Sequence, residues 1–336
     1  FRREIHARMD LEELIKLHDA TMLFITDTEK HAGRQCIGLR GTIVAHVELF
    51  VDYFHEKRTA TITSMLDNET WVAADVPSEF QQIIFKFVEL SDFLKDKKNA
   101  SMSEVSKIFR SPSKIEIPDM SDKISVKEEK FLVTNSVLIL LKCLKEYFGC
   151  IIDMPAVTVN VFKCINESLQ IFNSRTCQLV LGAGATQLLQ LKRITAKNLA
   201  LASLCLDVII ALIDHFKTIL TPIFPPKSVV TLNDIDRVKR NYVNHRQEIH
   251  NKFVTIMDER LTFHCRDIQL KNKWNDPSDT PSPYISLIVK ETKSLYDVLY
   301  SMLHYEDFQV VMVQVMMAIR GKLLEQYSNI RVDNIG

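Results

Sequence analysis

Glycine and proline are scarce, with 8 and 10 in 336 residues. A chain with so little turn punctuation is expected to build long, uninterrupted elements. An excess of either charge is missing too. Lys plus Arg and Asp plus Glu both number 42, a formal net charge of zero. That argues against wholesale phosphate binding and so against a nucleic-acid partner. No apolar run reaches the roughly 20 residues a membrane span needs. The uncharged stretch 176–191 holds three Gln, and 198–216 is broken by Asp207 and Asp214. No transmembrane span is expected. Close C-x-x-C pairs are absent. The seven cysteines (36, 143, 150, 164, 177, 205 and 265) lie mostly in apolar helical patterns. They read as reduced, buried thiols of a cytosolic protein. The sequons at Asn68, Asn99 and Asn166 are accordingly read as unglycosylated. The start at Phe1, with charges close behind, reads as a fragment without a signal peptide.

What is present is a helical period. Hydrophobic residues make up 46% and charged residues 25%, enough to build a sizeable core. The spacing predicts helices over 3–29, 39–66 and 78–95. In the second, Ile43, Val47, Phe50, Val51 and Phe54 share a face. The stretch 97–129 is rich in Lys, Ser, Asp and Pro and reads as a flexible linker or loop. It divides a helical region, 1–96, from a carboxy-terminal bundle, 130–336. Near 123–133 two short apolar runs flank Lys127-Glu-Glu129 and predict one small β-hairpin. Further helices are predicted over 134–150, from Asp153 and Pro155 to about Phe172, and over 175–191 and 197–221. The helix 197–221 is apolar nearly all round and belongs at the centre of a bundle. Thr231-Leu-Asn-Asp234 reads as a capping box for a helix to about Leu261. Helices from Ser282–Pro283 to about His304 and from Glu306 to Tyr327 close the chain. The fold class is therefore all-α, as elongated, stacked antiparallel helical bundles.

Candidate chemistry is thin. Leu181-Gly182-Ala183-Gly184 lacks the third Gly and the preceding strand of a dinucleotide loop, so the glycines are read as a close helix contact. His245 and His250 are five residues apart, about 140° around a helix, and do not share a metal as an i, i+4 pair does. His245 lies in an apolar stripe and is read as a hydrogen-bonded core residue. His264 and Cys265 are sequence neighbours that do not face each other on a helix. Met312, Met316 and Met317 are read as core packing, with a Met-rich binding groove as the other reading. Lys192, Arg193 and Lys197 form the basic spot that would touch lipid headgroups or a partner. No nucleophile, base and orienter come together, so no enzyme, cofactor or metal is expected.

Several segments together resemble one family: Phe54-His-Glu-Lys-Arg58, Leu66-Asp-Asn-Glu-Thr-Trp71, Ala74-Asp-Val-Pro77, Phe172-Asn-Ser-Arg-Thr-Cys-Gln-Leu-Val-Leu-Gly-Ala-Gly-Ala185, Ile194 to Ser203, and Asn241-Tyr-Val-Asn-His245 through Phe253 to Asp258. They resemble the carboxy-terminal half of the vacuolar protein sorting-associated protein 54 family. Its members are subunits of the Golgi-associated retrograde protein (GARP) tethering complex. The resemblance implies a non-enzymatic helical rod acting in retrograde transport from endosomes to the trans-Golgi network. It implies the other tethering subunits as partners, with SNAREs and small GTPases of endosome or Golgi beside them. It also implies peripheral association with the cytosolic face of those membranes. The alternative reading is a peripheral lipid-binding module built on the basic spot.

Overall fold

A computed structural model describes residues 9–97, 100–111, 118–182, 194–266 and 280–328. Among them are ten α-helices: α1 Leu11–Ala32, α2 Ile37–Asp67, α3 Ser78–Asp96, α4 Met102–Arg110, α5 Asn135–Asp153, α6 Thr158–Val180, α7 Ala196–Leu220, α8 Asp234–Cys265, α9 Pro283–Met302 and α10 Tyr305–Ser328. Two antiparallel strand pairs complete the described elements. Strand β1 Val76–Pro77 pairs with β2 Met120–Ser121, and β3 Ile124–Val126 pairs with β4 Glu129–Phe131. The protein is all-α with a small hairpin where the sequence places one.

Helix α7 forms the axis. Its residues from Leu199 to Ile209 are all buried. Length and hydropathy alone would let it cross a membrane, but 83% of its apolar window is covered by neighbouring helices. It packs on α3, α6, α8 and α9. Helix α2 turns its predicted stripe, extended by Ile62 and Leu66, onto α5 and α6. Three rings knit the centre: Phe87 of α3 meets Phe148 of α5 and Phe216 of α7 edge-on, each at 4.9 Å between centroids. Such T-shaped pairs add to the stabilisation from burial alone. Helix α8 lies against α6, α7, α9 and α10, while α1 rests on α2.

Three local expectations change. The break near 172–175 is absent: α6 is continuous to Val180. It starts at Thr158, because Pro155 and the 3-10 turn Pro155–Val157 separate it from α5. Thr231 caps nothing, for Pro225 and Pro226 hold 226–233 as a 3-10 helix that places Thr231 inside it. Within 97–129 the chain forms α4. A capping box opens it, with Ser101 Oγ accepting from the Glu104 N–H and the Glu104 carboxylate accepting from the Ser101 N–H. Val105 is buried, Lys86 of α3 donates to the Ile108 carbonyl at 3.1 Å, and Arg110 pairs with Asp153 of α5.

Gln81 of α3 holds the β3–β4 hairpin, with a looser ion pair between Lys127 and Asp92 at 3.6 Å beside it. Gln81 donates to the Ser125 carbonyl and accepts from the Ser125 N–H, both at 2.7 Å, filling the place of a neighbouring strand. Lys127 turns the hairpin with φ of 54°.

Candidate protein-binding groove

A few polar residues of the family-like segments face inward and hold the bundle together, while most of the others are exposed. Glu69 is 4% exposed, and its carboxylate accepts from the N–H groups of Thr70, Trp71 and Ser136, the last at 2.9 Å in the first turn of α5. A carboxylate there complements the helix N-terminus. Trp71 is buried with φ of 55°. Its carbonyl accepts from Asn198, whose side chain also closes the capping box of α7 with Thr195. Asp67 pairs with Arg175 of α6 at 2.7 Å. The loop after α2 thus ties α2, α5, α6 and α7 together. Arg58 stacks 3.2 Å over Phe54 and pairs with Glu146 at 2.7 Å. His55 Nδ1 lies 2.7 Å from the Tyr147 hydroxyl, and Tyr242 donates to the Leu169 carbonyl at 2.7 Å.

His245 is the hydrogen-bonded core histidine the sequence predicts. It is 4% exposed, with Nδ1 2.8 Å from Asn173 Oδ1, and burial lowers its pKa to about 4. Glu248 points outward. A second set, buried at Ser203, Asp207 and His250 and half-buried at Arg246 and Asp307, joins α7, α8 and α10. Ser203 Oγ lies 3.0 Å from His250 Nε2, His250 Nδ1 lies 4.0 Å from Asp307, and Arg246 reaches Asp207 at 2.7 Å and Asp307 at 3.7 Å. Burial pushes Asp207 up to about 6 against the pull of Arg246, and lowers His250. Serine, histidine and aspartate stand here in triad order. Yet Ser203 is 0% exposed and the His250–Asp307 separation exceeds hydrogen-bond reach. The set fastens α10 to α7 and α8.

All seven cysteines are free. Burial raises Cys150 and Cys205 to about 12, so neither supplies a thiolate nucleophile near neutral pH. Asn166, in one of the sequons, is buried at 6% exposure.

Of the basic spot, Lys192 and Arg193 lie outside the described residues. Lys197 is exposed in the first turn of α7 and lines a cavity of about 480 Å³ with Lys252, Arg260 and Glu291. Arg260 and His264 both approach the Glu291 carboxylate, at 3.4 and 3.3 Å.

An apolar groove of about 1270 Å³ lies between α9 and α10. Ile288, Val289, Thr292 and Tyr296 line it from α9; Phe308, Val310, Met312, Val313, Met316, Met317 and Ile319 line it from α10. Both helices rest on α8 but meet each other little, which leaves the trough open. Core packing is the wrong reading for two of the three methionines: Met316 is 54% and Met317 66% exposed. The reason is that α10 has two apolar faces. Phe308, Val311, Val315 and Ile319 face the core, and Val310, Val313, Met317 and Leu324 turn away from it. Two apolar faces on one helix imply cover on both sides. That double pattern stands in the sequence, and reading the run 308–319 as a single face hides it.

Comparison with known proteins places the chain. A family model described as "Vps54-like protein" matches residues 128–260. Vacuolar protein sorting-associated protein 54 of Mus musculus is 32% identical over 329 residues, 98% of this chain. The chain belongs to the Vps54-like family. Its Arabidopsis thaliana relative, named vacuolar protein sorting-associated protein 54, chloroplastic, is 31% identical over 98% of the chain. The Schizosaccharomyces pombe member is 22% identical over 85%. The chain spans about a third of the length of these relatives: 32%, 38% and 30%. No solved structure matches. The span 128–260 that matches the Vps54-like model runs from the hairpin through most of α8, so it contains Glu69's partner Ser136, the α7 axis and His245. The groove at 288–320 lies beyond that span.

Proposed function

We propose that this chain is part of a non-enzymatic subunit of a vesicle-tethering complex of the GARP type. In this reading it serves retrograde transport from endosomes to the trans-Golgi network, held peripherally on the cytosolic face of those membranes. It works through contacts with the other tethering subunits, and with SNAREs or small GTPases. The observation that carries the reading is the similarity to Vps54 proteins over 98% of the chain. The architecture supports it. Glu69, Asn198 and His245 of the family-like motifs are engaged inside the bundle, and the groove between α9 and α10 is apolar. A tether needs stiffness and surfaces, which long helices with few glycines supply.

The test is affinity capture of the intact, tagged protein from cells, read by mass spectrometry. Recovery of tethering subunits or endosomal transport proteins supports the reading, and recovery of none overturns it. A second reading, a lipid-binding module, draws on Lys197 beside Lys252, with Lys192 and Arg193 near in sequence. Flotation with anionic liposomes tests it. Binding that survives charge reversal at 192, 193 and 197 ends it.

A further inference from the structure

The outward face of α10 has a periodicity that the core does not explain. Val310, Val313, Met317, Arg320, Leu324 and Tyr327 follow one another at alternating spacings of three and four. All six are exposed. That is the a/d seam of a coiled coil, the pattern with which one helix receives another. At 100° per residue it lies opposite the buried face of Phe308, Val311, Val315 and Ile319. On the other wall of the groove, Val289, Lys293, Tyr296 and Tyr300 continue the spacing along α9, and all are exposed.

Each wall carries one cation at a seam position. Arg320 on α10 and Lys293 on α9 both line the groove. Among the described residues no carboxylate pairs with Arg320, while Lys293 has only a loose, exposed contact with Asp297 at 3.8 Å. A guanidinium covered by an apolar seam without a counter-charge is heavily penalised, and a facing carboxylate relieves that penalty. The α10 seam of a second copy would not provide one, since Val310, Val313, Met317, Arg320, Leu324 and Tyr327 offer no acid in any register. The flanking positions Gln309, Gln314, Met316, Gly321 and Leu323 hold no acid either.

We propose that the α9–α10 groove receives an amphipathic α-helix of another polypeptide. That helix carries an apolar heptad seam, with Asp or Glu at the positions facing Arg320 and Lys293. The mode is a helix laid in a groove, with Met312, Met316 and Met317 adapting to its side chains. This deepens the tethering reading by naming a contact surface and the partner's chemistry.

The experiment places a photo-crosslinking phenylalanine analogue at Met317 of the intact protein in cells and maps the crosslinked peptides. The expected result is a crosslink in trans to a helical segment with acidic residues beside an apolar seam. It should fall at least tenfold with Arg320→Glu and persist with Arg320→Lys. Both substitutions are at an exposed site, and unchanged circular dichroism confirms the fold. Crosslinks only within the same polypeptide, only to a second copy, or only to lipid overturn the proposal, as does a yield indifferent to Arg320→Glu. If the protein co-purifies with tethering subunits but gives no crosslink in trans, the groove proposal falls and the functional reading stands. If it co-purifies with none yet crosslinks an acidic helix, the reverse holds.

Discussion

His245 and Asp207 are buried titratable groups whose effects on stability run in opposite directions. The pKa of His245 is depressed from 6.5 to about 4 by burial. The unfolded chain therefore binds more protons between those values, and stability falls as pH drops through that window, by about 3 kcal/mol in all. His215 and His250 are lowered by burial as well and act in the same direction. Asp207 is raised from 3.8 to about 6. Here the folded chain binds more protons, so stability is gained as pH drops from 6 toward 4, by a similar amount. The Asp207→Asn variant should lose its denaturation midpoint more steeply than wild type between pH 7 and 4.5, and His245→Gln less steeply. Parallel pH profiles for the three proteins in urea would refute this account. Glu69 makes a sharper case, since Glu69→Ala takes the acceptor from three backbone donors, of which those of Trp71 and Ser136 are buried. The expected loss is about 3–5 kcal/mol in urea denaturation. Glu69→Gln, which keeps an acceptor oxygen, should lose less. A loss under about 1 kcal/mol for the alanine variant would mean that water replaces the carboxylate.

At the scale of the element, helices were legible where one apolar stripe met one core, as in α2 with Val47, Phe50 and Phe54. The hairpin was legible from alternation around Lys127. Boundaries were less so. The break drawn near Phe172 is absent because Asn173 and Arg175, polar in sequence, have partners on α8 and α2 in His245 and Asp67. Helix α4 went unread because its surroundings are polar, yet Ser101-Met-Ser-Glu104 carries its start in plain letters. Removing that cap tests its weight. Ser101→Ala should cost about 1 kcal/mol and raise amide exchange in Met102–Arg110 ahead of the rest. Unchanged exchange there would assign the helix's stability to Val105 and Lys86 instead. The conformation of Trp71 was not legible at all, since its positive φ follows from the Asn198 and Glu69 contacts that the fold brings to it.

For the whole molecule, the decisive contacts cross the divide that composition draws at 97–129. Helix α3 packs on α5 and α7, and α2 packs on α5 and α6. Buried residues from Leu14 to Ile319 form one cluster. A core that runs through both sides of a divide leaves neither side a separate interior to melt alone. Urea unfolding followed by tryptophan fluorescence and by far-ultraviolet circular dichroism should therefore give coincident single transitions. The reporters suit the question in a Trp274→Phe chain, where the remaining Trp71 sits where α2, α5 and α7 meet while the circular dichroism averages every helix. Phe87→Ala, which removes the ring shared by Phe148 and Phe216, should shift both curves together by about 3–5 kcal/mol. Curves that separate, with only one moved by Phe87→Ala, would show that 1–96 and 130–336 unfold as independent bodies despite their shared rings.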